Sequence, residues 1–429
     1  MLNFYNFLLR FILSSCVFSG LLFTNAYAEN NLTVNSVTQP YHAVLYPAEK
    51  IVELAGYPAL MYFSLGKVDK PLIIFVPGGY NLARIAYGTP NTKASDYLAY
   101  WFNQKGFTFL GLSYPLDNKV FSDVYPGFTI KDWAAQIIDA VKLQIDTHQL
   151  PKTFVMLGWS MAGKAVNQVN ALAKENGLDM IYISLSSDPS IRGLASTELF
   201  EQLIKTPTAK GLSSDHSLIS WFLNQIHEQN KLNQHVIIND STYIQDIMGD
   251  QPVDLLATST RFENNTFIKD TNITLTDTLA MDYDAYPMLG LIHGDYRSDY
   301  INALFTRFDW SPMLARAVYN SLTKKMHLDE LFEQEWNGLK KIIEHAPQIM
   351  SREVHGNHLF FLGQTGAEQT VTAVQSLLAM RDQILNIHSS ADLCTFTGKF
   401  KQQLQGDEPN SAFCINHNDS TVNPLFLTH

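Results

Sequence analysis

Phe154-Val155-Met156-Leu157-Gly158-Trp159-Ser160-Met161-Ala162-Gly163 is the stretch on which the reading of this chain turns. Phe154 to Leu157 is a continuous apolar run, the mark of a strand buried on both faces. Met161 to Glu175 continues at helical spacing. Between them lies a small-x-Ser-x-small turn, with Gly158 two residues before Ser160 and Ala162 two after. A chain that passes from strand to helix in so few residues needs small side chains at those places. A serine at the apex stands clear of the sheet, and the N–H groups that follow it face any negative charge developing beside it. Ser160 is therefore a candidate nucleophile. Its plain structural alternative is a helix N-cap serine.

Outward from this turn the same rhythm repeats. Pro71 to Val76 (PLIIFV) is another doubly buried run, ending in Pro77-Gly78-Gly79-Tyr80. Lys93 to Lys105 is expected to be a helix, stopped by Gly106, and Phe107 to Tyr114 the next strand. Ile130 to His148 carries Trp133, Ile137, Ile138, Val141 and Ile145 at helical spacing. Met180 to Leu185 and Met288 to Ile292 read as further strands, the latter running into His293-Gly294. Upstream, His42 to Leu54 and Tyr57 to Leu65 suggest an antiparallel pair. Strands alternating with helices of this length predict an α/β fold, with a mostly parallel sheet covered on both faces. From 190 to 285 the rhythm stops, and Asn, Thr, Asp and Ser dominate around helical patches such as Leu218 to Gln229. That stretch reads as an insertion, either a cap over the carboxyl ends of the strands, where ligands bind in such folds, or surface decoration. The expected organisation is a core of 29–189 and 286–390, the insertion 190–285, and a C-terminal extension 391–429.

Residues 1–28 read as a secretory signal. Arg10 precedes an apolar run from Phe11 to Phe23, and Ala26-Tyr27-Ala28 offers a small-x-small cleavage site. The run is shorter than the about 20 apolar residues of a membrane span, so no transmembrane segment is expected after cleavage. Leu13-Ser14-Ser15-Cys16 is a competing lipobox. An exported chain, periplasmic or secreted, would retain Cys394 and Cys414 in an oxidising compartment, and a disulfide between them is the natural expectation. The 429-residue chain is 46% apolar with a net charge of −11. That predicts a sizeable core, and the lack of basic clusters argues against a nucleic-acid partner. No paired CxxC or HExxH pattern suggests a metal, and no cofactor is expected.

With these elements in order, the chain resembles the α/β-hydrolase family, in particular its serine esterases, lipases and thioesterases. The resemblance covers most of the mature chain, though its specific motifs are short. One departure is Ala162 where glycine is usual, another Pro77 where the family has histidine. The resemblance implies that Gly79 or Tyr80, together with Met161, supplies the N–H donors of an oxyanion hole. It also implies the order nucleophile, acid, histidine. His355-Gly356-Asn357-His358-Leu359-Phe360 resembles the family's histidine segment, after a strand expected over Gln348 to Val354. His358 fits the base best; His355 lies before the glycine. For the acid, the usual place three residues beyond the strand's glycine holds Arg297, flanked by Asp295 and Asp299. Asp295 is favoured as closest to the strand end, Asp299 is the alternative, and Asp188 is the third choice. The implied activity is hydrolysis of an ester-type bond in a small-molecule or lipid-like acyl substrate. Thioesterase, peptidase or amidase activity, or a catalytically inactive binding protein, are the alternatives.

Overall fold

The computed structural model describes residues 44–190, 210–214, 216, 218–326 and 328–399. The signal segment, Cys16 and Cys414, and with Cys414 the expected disulfide, lie outside the described residues.

Eight strands form one sheet: β1 (Glu49–Leu54), β2 (Tyr57–Ser64), β3 (Leu72–Val76), β4 (Phe109–Ser113), β5 (Thr153–Trp159), β6 (Asp179–Leu185), β7 (Leu289–Gly294) and β8 (Ser351–Val354). Their spatial order is β1-β2-β4-β3-β5-β6-β7-β8. β1 pairs antiparallel with β2, and β2 antiparallel with β4. From β4 to β8 every pairing is parallel. The fold is that of the α/β-hydrolases.

The continuous apolar runs are strands because both faces are covered: every residue of β3 and of β4 is buried. One cover is helix α2 (Ile130–His148), started by a capping box in which Thr129 and Asp132 satisfy each other's backbone N–H. It buries Trp133, Ile137 and Val141 against the sheet, and each such side chain contributes about 1.5–3 kcal/mol. The expected Lys93–Lys105 helix is instead a short turn, Ala94–Asp96, followed by α1 (Leu98–Gln104). Tyr97 is extended between them, with φ −128° and ψ 152°. Its ring is buried beside Gly88, and its hydroxyl donates to the Ile237 carbonyl at 3.2 Å. Tertiary packing of one ring thus breaks a locally helical pattern.

The first edge of the sheet is locked by a buried ion pair. The Arg84 guanidinium donates twice to the Glu49 carboxylate, at 2.8 and 2.7 Å, and once each to the Asp246 and Val44 carbonyls. The two side chains are 1% and 0% exposed. Removing one partner strands the other charge in the interior. Glu49→Ala should therefore cost about 3–5 kcal/mol in urea unfolding, and a loss under 1 kcal/mol would show that water reaches Arg84.

Between β6 and β7 lie α4 (Ile219–Asn233), α5 (Thr271–Thr278) and a hairpin, Thr260–Glu263 with Thr266–Lys269. The hairpin turns through Asn264 and Asn265, both at positive φ, as a two-residue turn between twisted strands requires. Met248 and Asp250 bridge to Asn81 and Asp117, in the loops after β3 and β4. Asp254 accepts the Ile130 N–H at the head of α2 at 3.0 Å. Residues 248–254 thus meet the loops that follow β3 and β4 and the head of α2. Between β7 and β8 run two helices packed on each other, α6 (Tyr300–Thr323) and α7 (Glu333–Ile349). The strand expected from Gln348 begins only at Ser351, because the apolar spacing through Leu339, Ile342 and Ala346 holds the chain in α7. Helix α8 (Gln364–Leu385) follows β8 and packs on β7.

Candidate active site

The strand order reverses direction at β3 and β5: from β3 the chain moves to β4 on one side, from β5 to β6 on the other. The crevice at such a switch point is where ligands bind. Val76 lies opposite Gly158, so Pro77-Gly78-Gly79 and Trp159-Ser160 leave the sheet side by side.

Ser160 is half-buried, with φ +53°. A left-handed backbone is costly for a residue bearing a side chain, and such strain collects at functional turns. A turn of tight helix, Ser160–Ala165, follows before α3 (Val166–Glu175), so the regular helix starts later than the expected Met161. Steric demand sits on both sides of the serine. A Cβ on Gly158 would stand 2.5 Å from the Tyr182 hydroxyl, and one on Gly163 would stand 2.3 Å from the Asp188 carbonyl oxygen. Ala162 is buried with its methyl accommodated. Glycine is thus needed three residues after Ser160 rather than two, which accounts for Ala162. Across the crevice, a Cβ on Gly78 would meet the Ser160 Cβ at 2.7 Å.

His358 follows β8 by four residues. Its Nδ1 lies 3.0 Å from Asp299 Oδ2, and both side chains are 3% exposed. The other Asp299 oxygen accepts from Asn302 Nδ2 at 2.8 Å, and the same amide nitrogen is 3.1 Å from His358 Nδ1. The Trp159 indole N–H donates to the His358 carbonyl at 3.0 Å, which ties the histidine loop to the residue before Ser160. The imidazole sits between Trp159 and Trp221, with ring centroids 5.3 and 5.1 Å away.

Asp295 is elsewhere. It bonds His355 Nδ1 at 2.8 Å and accepts the Gly356 N–H at 2.9 Å, beside an open groove that Arg352 and Glu368 also line. Partial burial would raise its carboxyl, but the bonds from His355 and Gly356 outweigh that and hold it below the usual carboxylate value. The structure thus brings Asp299, and not the favoured Asp295, to His358. The reason is local: the N–H groups of both Asp295 and Tyr296 bond the Gly356 carbonyl, which commits this part of the loop to the outer side of the histidine segment. Asp188 meets the serine turn through its backbone, donating its N–H to the Ser160 carbonyl at 3.1 Å.

Of the candidate oxyanion donors, Tyr80 has its N–H taken. It donates at 2.7 Å to Gln251 Oε1, which also accepts the Tyr114 hydroxyl at 3.0 Å. Gly79 and Met161 remain at the crevice, Gly79 next to both the Gln251 amide and the Met161 sulfur. Asn302, Trp221, Gln225 and Gln251 are site residues that the sequence reading missed. One signal existed for Gln225: Phe222, Gln225, Ile226 and Gln229 fall on one buried helical face, and glutamines on an apolar stripe ask for buried partners. Among the described residues no group of three or more His, Cys, Asp or Glu is placed to hold a metal, and no helix is long and apolar enough to cross a membrane.

No protein-family model matches the chain, and no curated protein sequence matches it. Solved structures do resemble it in outline. One is from work on carboxylesterases of Nitrososphaera gargenis, 10% identical, covering 78% of this chain and 98% of that one with a TM-score of 0.41. A thermophilic esterase from Thermogutta terrifontis is 13% identical over 80% and 99%, with a TM-score of 0.38. The thioesterase domain from the curacin biosynthetic pathway is 11% identical over 77% and 98%, with a TM-score of 0.36. By its own strand order and the turn after β5, this chain is an α/β-hydrolase in fold.

Proposed function

We propose that this chain is a serine hydrolase acting on an ester-type bond through an acyl-enzyme on Ser160. The observation that carries the reading is the buried His358–Asp299 pair at 3.0 Å, at the same end of the sheet as a serine held at positive φ. With Nδ1 turned to Asp299, the imidazole has Nε2 for the serine hydroxyl. His358 takes the Ser160 proton as Oγ attacks the carbonyl, and the oxygen that becomes negative is received by the N–H groups of Gly79 and Met161. The tetrahedral intermediate collapses, the leaving alcohol takes the proton from His358, and water then attacks the acyl-enzyme by the same route. Asp299 holds the imidazole in one tautomer and stabilises its cation.

The test is turnover of p-nitrophenyl esters of increasing acyl length, run beside a thioester and an anilide. Ester cleavage should dominate, and its chain-length optimum reports the acyl pocket. A thioester cleaved far faster than its ester would make the protein a thioesterase, and preference for the anilide would make it an amidase. No cleavage of any of them, with no labelling by a fluorophosphonate, would leave a binding protein on a hydrolase fold and end the proposal.

A further inference from the structure

We infer that Gln225 and Gln251, both from the stretch between β6 and β7, are positioning residues that hold the catalytic loops in register; the inference rests on the serine-hydrolase reading above. The two amides bond different loops, Gln225 those of His358 and Asp299, Gln251 the one that follows β3. Gln225, 1% exposed, accepts the His358 N–H on Oε1 at 3.1 Å and donates from Nε2 to the Ser298 carbonyl at 3.3 Å. One side chain thus joins the residue that carries the imidazole to the residue just before Asp299. Its helix adds further bonds to the same loops. Glu228 Oε2 accepts from Asn357 Nδ2 at 2.9 Å and from the Ser298 hydroxyl, and Gln229 Nε2 donates to Asn357 Oδ1 at 2.9 Å.

Gln251, 0% exposed, does the corresponding work on the loop after β3. Its Oε1 accepts the Tyr80 N–H at 2.7 Å and the Tyr114 hydroxyl at 3.0 Å, while its Nε2 approaches the Met161 sulfur at 3.3 Å. Tyr80 is itself at φ +62°. Without an acceptor for that buried N–H, the loop has both strain to release and a polar group to satisfy. Any relaxation moves Gly79, one residue away. Neither glutamine is hydrogen-bonded to Ser160 or to the imidazole nitrogens, so neither takes part in proton transfer. What they fix is distance, and a shift of about 1 Å in such a site can cost about 100-fold in rate.

The experiment compares purified wild type with Gln251→Met, which removes the acceptor at similar volume, Gln251→Glu, which keeps it, and Gln225→Met. Each is first checked for fold by circular dichroism and thermal melting. In Gln251→Met, kcat for the best ester should fall about 100-fold with KM within about threefold, because the interaction lost matters in the transition state. Gln251→Glu should recover most of that loss. Gln225→Met should slow both kcat and fluorophosphonate labelling about tenfold or more. If Gln251→Met does not fold, Gln251→Asn, which keeps the amide but withdraws it by one methylene, takes its place with the same expectation. A folded Gln251→Met or Gln251→Asn with wild-type kcat overturns the inference, as does an equal loss in Gln251→Glu and Gln251→Met, or a folded Gln225→Met with wild-type kcat and labelling. A wild type that neither hydrolyses esters nor takes the probe defeats the parent reading instead.

Discussion

Ser160→Ala should abolish both fluorophosphonate labelling and ester hydrolysis, with kcat lower by about 10⁶-fold. Losses of that size are what removal of a triad nucleophile produces, since its members act as a unit and the remainder comes from binding and the oxyanion donors alone. Peptide mapping of the labelled wild type should find the probe on the Gly158-Trp159-Ser160-Met161 peptide. The backbone offers an independent check. Ser160 sits at φ +53°, a conformation that costs about 1–2 kcal/mol for a residue with a Cβ. Ser160→Gly should therefore be inactive and yet more stable than wild type by about 1 kcal/mol in urea unfolding, while Ser160→Ala, which keeps the Cβ, should stay near wild type. Full labelling of Ser160→Ala would move the nucleophile elsewhere.

The second large effect concerns the carboxylates. Asp299→Asn should fold normally and lose about 10⁴-fold in kcat, because an amide in that place favours the wrong imidazole tautomer and cannot stabilise its cation. Asp295→Asn should keep kcat within about threefold. The two substitutions are chemically identical and four residues apart, so the contrast reads position alone. Asp295 should show itself in stability rather than in rate. Its partners hold its carboxyl below the ordinary value, so its contribution is present above the unfolded-state pKa and is lost as the pH falls through the folded one. The difference in stability between wild type and Asp295→Asn should accordingly shrink on acidification. A kcat lost only in Asp295→Asn would restore the choice favoured on sequence. Activity kept in both variants would point to Asp188.

These contrasts separate what the chain announces locally from what it does not. Doubly buried strands such as Leu72–Val76 and Thr153–Trp159 are legible in the sequence because burial on both faces leaves an unbroken apolar run. Helix α2 is legible because its capping box and its buried stripe span only neighbouring turns. The serine turn is legible for the same reason, as strand, small residues and helix all fall within about a dozen positions. Tyr97 marks the boundary of such reading: its neighbours are helix formers, but a ring that packs under Gly88 sets its backbone.

That Asp299 rather than Asp295 meets His358 depends on the third dimension. Two backbone bonds to the Gly356 carbonyl, about sixty residues away along the chain, hold Asp295 and Tyr296 beside the histidine segment, and no local propensity encodes them. The same holds for the Tyr80 N–H, engaged by a glutamine 171 residues later, and for Gln225, which meets His358 across 133 residues. Periodicity and turn chemistry are properties of adjacent residues, so the sequence by itself determined the buried strands, helix α2 and the apex serine. Which polar groups face one another at the crevice is a property of how distant loops satisfy buried donors and acceptors, and only the folded chain decides it.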